Sequence, residues 1–230
     1  MPRQPSRSRR LLLFLSILSS MFLAGVAQAG PTPFQARYVL SIDGWPDARI
    51  SHRLSRTDEG WTSEMRAAMA VAEGVERSRF RLEAGHLEPL GYVSSYRLLG
   101  LGERYSLVAS DLRSLPDRQT ALFALSRQAR KARCTHPQTA PCTIRYLDHE
   151  GEEETLNYRV VSRDDVALPQ GRFPGLHIDA WEPDKTDRHL LMTFHASIPG
   201  LLLGLEYRRD GKVTSRLRLT QLAAPDDQDS

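Results

Sequence analysis

The sequence predicts a mainly β fold, a strongly curved antiparallel sheet or open barrel with one mid-chain helix. Most of the chain after residue 33 alternates apolar and polar side chains with the period of two that strands have. Turn residues separate these short segments at near-even spacing, which is typical of a sandwich or a barrel. One segment near the middle has helical spacing instead. Hydrophobic residues make up 40% of the chain, which is enough for a sizeable core.

Residues 1–29 have the pattern of a secretory signal peptide. Four arginines and no acidic residue precede a run of thirteen mostly apolar residues, Leu11–Leu23, and a small-x-small cleavage pattern ends at Ala29. This run is shorter than the roughly 20 residues that a membrane-spanning helix needs. We therefore expect cleavage after Ala29, a periplasmic location and no membrane span in the mature chain. The sequence leaves open whether export uses the general secretory or the twin-arginine route.

The mature chain is predicted to be one β-rich domain, residues 30–222, followed by an acidic disordered tail, residues 223–230. The full sequence has a net charge of +3, but four of its 31 basic residues lie in the signal peptide. The remaining 27 basic residues face 28 acidic ones, a net charge of −1. Because a nucleic-acid-binding domain carries an excess of basic residues, this balance argues against nucleic acid as a partner.

The first half of the chain predicts six strands. Phe34, Ala36, Tyr38 and Leu40 alternate with polar residues, and Asp43–Pro46 supply a turn. The apolar segments that predict the next five strands are Ala48–Leu54, Trp61–Met69, Phe80–Leu82, Tyr92–Tyr96 and Tyr105–Ala109.

Residues 116–131 predict the helix. Asp117 can cap its start, and Leu122, Leu125 and Ala129 fall at helical spacing. Basic residues gather near Lys131, where the helix dipole favours cations. The apolar stripe of this helix must cover something, most simply an open side or end of the sheet.

The second half predicts six further strands. Asp210-Gly211 can adopt the positive φ angles of a tight turn, which predicts a final hairpin between LEYRR and KVTSRLRL. The segments that precede this turn are Ile144–Leu147, Leu156–Val161, Leu176–Trp181, Leu190–Phe194 and Leu201–Tyr207.

The only two cysteines, Cys134 and Cys142, bracket a turn-rich loop between the helix and the next strand. In an oxidising compartment a bond between them would close this loop, so we predict a structural disulfide. The alternative is a zinc site that adds His136 and His149, but the spacing matches none of the common zinc motifs. A redox pair would need a CxxC arrangement. The sequence therefore predicts no metal and no cofactor.

His177 and Asp179 are the candidate catalytic residues. Their i, i+2 spacing places both on one face of a strand, and a histidine beside a carboxylate can do acid–base chemistry. The same pattern is expected of polar side chains on a solvated face opposite Leu176 and Ile178, and no third group is identifiable. The sequence also contains no GxSxG, HExxH or Walker motif. It therefore favours a protein without catalytic activity and leaves an enzyme open.

Five stretches share a pattern with a known family: FQARYVLSIDG, FRLEAGHLEPLGYVSSYRL, LPDRQTALFALSRQ, LNYRVVSRDDVALPQGRFPGLHIDAW and LEYRRDGKVTSRLRL. The fourth contains a P-x-G-x-F turn at Pro169, Gly171 and Phe173. Together they resemble the exported bacterial proteins catalogued as domain of unknown function 3108, over most of residues 34–220. The chain departs from that pattern in MTFHASIPG, where members often carry a tryptophan and Phe194 is the nearest aromatic residue. The resemblance implies an exported β-rich domain and carries over no catalytic residue.

Three classes of function fit this sequence. A curved sheet partly covered by a helix can enclose an apolar cavity, which predicts a non-catalytic carrier for a lipid or other hydrophobic envelope ligand. The alternatives are a scaffold that binds another envelope protein through a sheet edge or through Ile198–Leu205, and a hydrolase acting on an envelope polymer. The candidate ligand-binding residues of the carrier are Met65, Met69, Phe80, Leu122, Leu125 and Leu203.

Overall fold

A twelve-stranded antiparallel sheet forms most of the fold. The computed structural model describes residues 31–223, so the predicted signal peptide and nearly all of the predicted acidic tail lie outside the described residues. The strands of the sheet are β1 (Phe34–Ile42), β2 (Ala48–Thr57), β3 (Gly60–Met69), β4 (Ala72–Glu83), β5 (His86–Leu98), β6 (Leu101–Val108), β7 (Cys142–Leu147), β8 (Glu153–Ser162), β11 (Gly175–Trp181), β12 (Arg188–His195), β13 (Leu202–Arg209) and β14 (Lys212–Ala223). The other elements are the helices α1 (Ala109–Leu112) and α2 (Arg118–Lys131) and the two-stranded hairpin β9 (Val166–Leu168) and β10 (Gly171–Phe173).

The strand order shows that the sheet is open. It runs β6-β5-β4-β3-β2-β1-β14-β13-β12-β11-β8-β7, with every neighbouring pair antiparallel, so β6 and β7 are edge strands that do not pair with each other. The two edges nevertheless come near each other, because the Tyr105 ring of β6 meets the His149 ring after β7 edge-on at 4.7 Å between centroids. The predicted fold class, a curved antiparallel sheet with a mid-chain helix, is confirmed.

Alternation in the sequence produces the inner face of the sheet. Phe34, Ala36 and Tyr38 are buried, whereas Gln35 and Arg37 between them are exposed. Directly opposite residues of neighbouring strands share a face, and the buried positions of successive strands are indeed in register, as where Tyr38 faces Leu219. Successive side chains of a strand point to opposite faces, so the apolar positions of all these strands lie on one face and join into one core.

The helix α2 starts where the sequence predicts. Asp117 is its N-cap and accepts hydrogen bonds from the backbone amides of Gln119 and Thr120 at 3.0 and 2.9 Å. Its apolar side packs on the inner face, where the Phe123 ring lies 4.9 Å from the Phe80 ring. The predicted helix over residues 116–131 is therefore confirmed, with its end at Lys131.

The helix covers only one end of the inner face. Arg127 reaches the Gly85 carbonyl at the β4–β5 turn, and the Ser126 hydroxyl accepts from the Gly200 amide at 2.8 Å. We call this end of the strands the helix end. The opposite end, here called the open end, contains the β1–β2, β3–β4, β5–β6 and β13–β14 turns, as the antiparallel pairing requires.

Two local features differ from the sequence expectations. Ala109 was expected to continue a strand, but it begins the short helix α1, whose Leu112 is fully buried. The chain turns at Pro169-Gln170, within the P-x-G-x-F pattern, but this turn closes the additional hairpin β9–β10, whose strands of three residues each are too short for the sequence pattern to predict. The final hairpin is as expected, since Asp210 and Gly211 have φ values of 50° and 74° in its turn.

The two cysteines form a disulfide. Cys134 follows α2, Cys142 begins β7, and their Cα atoms lie 5.7 Å apart. The Cys134 carbonyl also accepts from the Val160 amide at 3.1 Å, so the loop is tied to both β7 and β8. The predicted structural disulfide is confirmed.

We expect the Cys134→Ala, Cys142→Ala variant to lose about 2 to 3 kcal/mol of unfolding free energy, because the bond closes a short loop in the unfolded chain. Urea unfolding followed by circular dichroism measures this loss, and reduced wild-type protein should match the variant. An unchanged urea midpoint in both the variant and the reduced protein would contradict the expected stabilisation by the disulfide.

Candidate functional site

An apolar cleft lies between α2 and the inner face of the sheet. Its volume is about 210 Å³, and its residues come from the helix and from strands β3, β4, β7, β8 and β12. The apolar residues that line it are Met65, Ala121, Leu122, Leu125, Ile144, Tyr146, Leu156 and Leu190. Small-molecule sites in proteins have this character, a concave and mostly apolar surface with a few polar groups.

The apolar inner face continues beyond this cleft toward the open end. Leu40, Ile50 and Leu205 are half-buried there and pack against the core. Ile50 lies opposite Ala67 of β3, so the uncovered surface also extends across neighbouring strands. We call the cleft and this extension together the apolar trough.

A buried polar side chain lines the cleft. Gln119 is 3% exposed, and its Nε2 donates to the Ser63 hydroxyl at 2.9 Å. The same hydroxyl lies 2.9 Å from Nε2 of the buried His52. Within residues 31–223, Oε1 of Gln119 has no hydrogen-bond partner. A buried unpaired acceptor is costly, and a hydrogen-bond donor brought to this atom would relieve that cost.

The remaining polar groups of the cleft carry no net charge. Glu76 and Arg118 form an ion pair at its rim. Burial, together with the Glu154 and Glu182 carboxylates, raises the pKa of the Tyr146 phenol to about 12, so this side chain is neutral. The cleft therefore offers an apolar chain no uncompensated charge to desolvate.

The predicted ligand-binding residues divide between this cleft and other places. Met65, Leu122 and Leu125 line the cleft together. Phe80 is fully buried against Phe123 and is part of the packed core.

Two predicted ligand-binding residues lie outside the cleft. Met69 is the last residue of β3, at the open end. Leu203 is the extra residue of a bulge, because Gly204 faces Thr193 and Leu202 faces Phe194.

Leu203 lines a second cavity, on the outer face of the sheet. This cavity of about 600 Å³ lies beneath the β9–β10 hairpin, which contributes Val166 and Leu168. Its other walls include Glu206, Arg216 and Thr220 on β13 and β14. It is larger than the cleft but more polar, and only one of the predicted ligand-binding residues lines it.

The candidate catalytic residues lie on the outer face of β11. The His177 ring is held between the Thr193 hydroxyl and the Asp164 carbonyl, each at 3.1 Å. Asp179 pairs instead with Nδ1 of His189 at 2.7 Å. The two side chains therefore share a face, as the spacing predicts, but each has a different partner.

The two cysteines and the Ile198–Leu205 stretch are both engaged within the fold. Cys134 and Cys142 bond each other, and residues 31–223 contain no cluster of three or more potential metal ligands. Strand β13, which begins at Leu202, lies between β12 and β14, so this stretch is a central strand of the sheet with its preceding loop. No helix within the described part of the chain is long and apolar enough to cross a membrane.

No protein-family model matches the chain and no curated protein matches it, so the resemblance to the domain of unknown function 3108 stays a prediction. The fold is distantly similar to the crystal structure of MucB, at 13% identity and a TM-score of 0.38, over 84% of this chain and 54% of that one. A crystal structure of MucB in complex with MucA(peri) gives 13% identity and a TM-score of 0.39, over 85% and 52% of the two chains. The chain thus spans about half the length of these proteins, and a likeness at this level transfers no function.

The His52 side chain beside Gln119 makes stability depend on pH. Burial lowers the pKa of its imidazole to about 4, whereas the ordinary value is 6.5. The unfolded chain therefore binds the proton more tightly, and stability is present above pH 6.5 and is lost as the pH falls toward 4.

We expect the unfolding free energy of the wild type to fall between pH 7 and 4.5 by about 2 to 3 kcal/mol more than that of His52→Gln. Urea unfolding at both pH values measures the difference. The exposed His86 gives the matched control, since His86→Gln should keep the wild-type pH dependence. Parallel curves for wild type and His52→Gln would contradict this assignment.

Proposed function

We propose that the protein is a non-catalytic binding module, or carrier, for a ligand with an apolar chain, and that the apolar trough holds this chain. The observation that carries the proposal is the cleft beside α2, in which Met65, Leu122 and Leu125 converge around a buried glutamine with an unpaired acceptor. Burial of an apolar chain there is favourable by about 0.8 kcal/mol for each CH₂ group removed from water.

The polar atoms of the cleft favour one chemical class of ligand. Oε1 of Gln119 is an acceptor, so the complementary group on the ligand is a hydroxyl or an amide N–H. Arg118 is neutralised by Glu76, so the cleft does not require an anionic group. An acyl or alkyl chain that bears a hydroxyl or amide close to the chain fits both features.

The proposed compartment is the periplasm. The signal-peptide pattern of residues 1–29 supports export, and the Cys134–Cys142 disulfide is the kind of bond that persists in an oxidising compartment. A hydrophobic ligand of the cell envelope would be met there. N-terminal sequencing of the exported protein, which should begin at Gly30, tests this part of the proposal.

We expect the protein, purified without detergent, to bind dansyl-undecanoic acid and to increase its fluorescence. Leu122→Gln should weaken this binding about tenfold, because it places an amide in the cleft, while leucine and glutamine have similar helix propensities. Leu87→Gln is the matched control, since Leu87 is half-buried but lies outside the cleft. Thermal unfolding of both variants shows whether they remain folded.

Two outcomes would overturn the carrier. One is a wild-type protein that leaves the fluorescence of the probe unchanged, and the other is an equal loss of binding in Leu122→Gln and Leu87→Gln.

A second experiment tests the role of Gln119. Decanol can donate a hydrogen bond and methyl decanoate only accepts, so decanol should displace the probe at about two- to tenfold lower concentration. Gln119→Met keeps an apolar body of similar length and should remove this preference. If the variant keeps the preference, Oε1 of Gln119 is not the group that recognises the ligand.

A further inference from the structure

Two hairpin turns at the open end expose a cluster of aliphatic side chains. Leu99 and Leu101 are 76% and 81% exposed, and Leu98 and Val71 are 43% and 41% exposed. With Tyr96, this cluster accounts for five of the eight large hydrophobic side chains that are exposed within residues 31–223. Scattered surface leucines are ordinary, but a contiguous apolar cluster of this kind marks an interaction surface.

The two turns form one continuous tip. The Leu99 amide donates to the Val71 carbonyl at 2.9 Å, and Ala72 lies opposite Leu98. Arg97 and Glu73 join the same two strands by an ion pair at 2.6 Å. We call Met69–Ala72 and Leu98–Leu101 the apolar tip. Because it is held by backbone hydrogen bonds, its aliphatic side chains are presented together.

The residues behind the apolar tip include side chains that are favoured at a bilayer surface. The aliphatic side chains come first, at the turns. Tyr96 and Tyr105 come next along the strands, with ring centroids 6.4 Å apart, and tyrosine is favoured at membrane–water interfaces. Arg66 and Arg104 lie level with Ser95, between these two rings along the strands, where lipid phosphates would be. Arg97 lies nearer the turn, in its ion pair with Glu73.

The surface behind the tip has a small excess of positive charge, because it carries three arginines and the two glutamates Glu73 and Glu103. Arg66 and Arg97 are exposed beside Glu64 and Glu73, to which they are paired. Arg104 is exposed and has no acidic partner among the residues that the structure describes. At least this guanidinium is available to a phosphate.

We propose that the apolar tip is a membrane-docking surface that inserts into the headgroup region of an anionic lipid bilayer. The tip lies at the open end of the strands, where the apolar trough is also uncovered, so docking brings the mouth of the trough to the bilayer. The docking itself is independent of the proposed function. Only the passage of an apolar chain between the bilayer and the trough rests on the proposed function.

The test places an environment-sensitive dye on the tip. Both native cysteines are disulfide-bonded, so Leu99→Cys supplies the only free thiol for an NBD label. Vesicles of equal parts phosphatidylethanolamine and phosphatidylglycerol should shift the NBD emission to the blue and increase it. Val161→Cys is the matched control, because Val161 is 63% exposed but lies near the helix end of β8, and its label should not respond.

Co-sedimentation with the same vesicles gives a second measurement on unlabelled protein. Leu99→Ser, Leu101→Ser should weaken vesicle binding at least about tenfold, because two aliphatic side chains no longer leave water. Val161→Ser should bind as the wild type does. Binding of dansyl-undecanoic acid in the absence of vesicles should be unchanged in the double variant, which separates this proposal from the carrier.

Three results would overturn the docking surface. The first is an NBD label on the tip that does not respond to vesicles. The second is equal vesicle binding by wild type and the double variant. The third is a label that responds to rising protein concentration without vesicles, which would assign the tip to a contact between two copies of this chain.

Discussion

The buried carboxylate of Asp117 connects the parts of the fold that the sheet leaves unconnected. It caps α2 and also accepts from the hydroxyls of Ser78 on β4 and Thr120 on the helix. The next connection is to β7, since Asp117 forms a parallel bridge with Leu147. Strand β4 lies near one edge of the open sheet and β7 forms the other edge, so the start of the helix links the two sides of the sheet that do not pair with each other. Burial raises the pKa of this carboxyl, and four hydrogen-bond donors oppose the shift, which explains how a carboxylate is tolerated at a fully buried position.

The position of the helix then decides which part of the inner face is core and which part is available. From Asp117 the helix runs to the helix end of the strands, where Phe123 packs on Phe80 and the Gly200 amide donates to the Ser126 hydroxyl. The helix has only 14 residues and packs at the helix end of the strands, so it is too small to cover the inner face of a twelve-stranded sheet. The apolar face toward the open end therefore stays half-buried. The cleft and its extension follow from this mismatch in size.

Local patterns in the sequence predicted the strands and the helix, but not the contacts between distant segments. Period-two alternation identifies twelve strands, and Asp117 and Lys131 bound the helix, because these signals are local. Phe80 belongs to the core because it packs on Phe123 of the helix, which is distant in sequence. Met69 lies at the end of its strand, beside the β3–β4 turn, and a bulge places Leu203 against the outer cavity. The sequence contains one indication that Gln119 is buried: it precedes Leu122 by three residues, which places a polar side chain on the apolar stripe of the helix.

The polar groups of the cleft are compatible with the proposed carrier. Acid–base catalysis needs a titratable group aimed at the bound substrate, and the cleft offers a neutral amide, a neutral phenol and a mutually paired Glu76 and Arg118. His177 and Asp179 lie on the opposite face of the sheet, with the sheet between them and the cleft. The proposed carrier requires that its ligand enter with little exposure to water, because each CH₂ group that leaves a membrane for water costs free energy. The proposed docking of the apolar tip meets that requirement, because the tip lies at the open end of the strands, where the trough is uncovered. Strands β3 and β4 contribute to the cleft, and the turn that joins them is part of the tip.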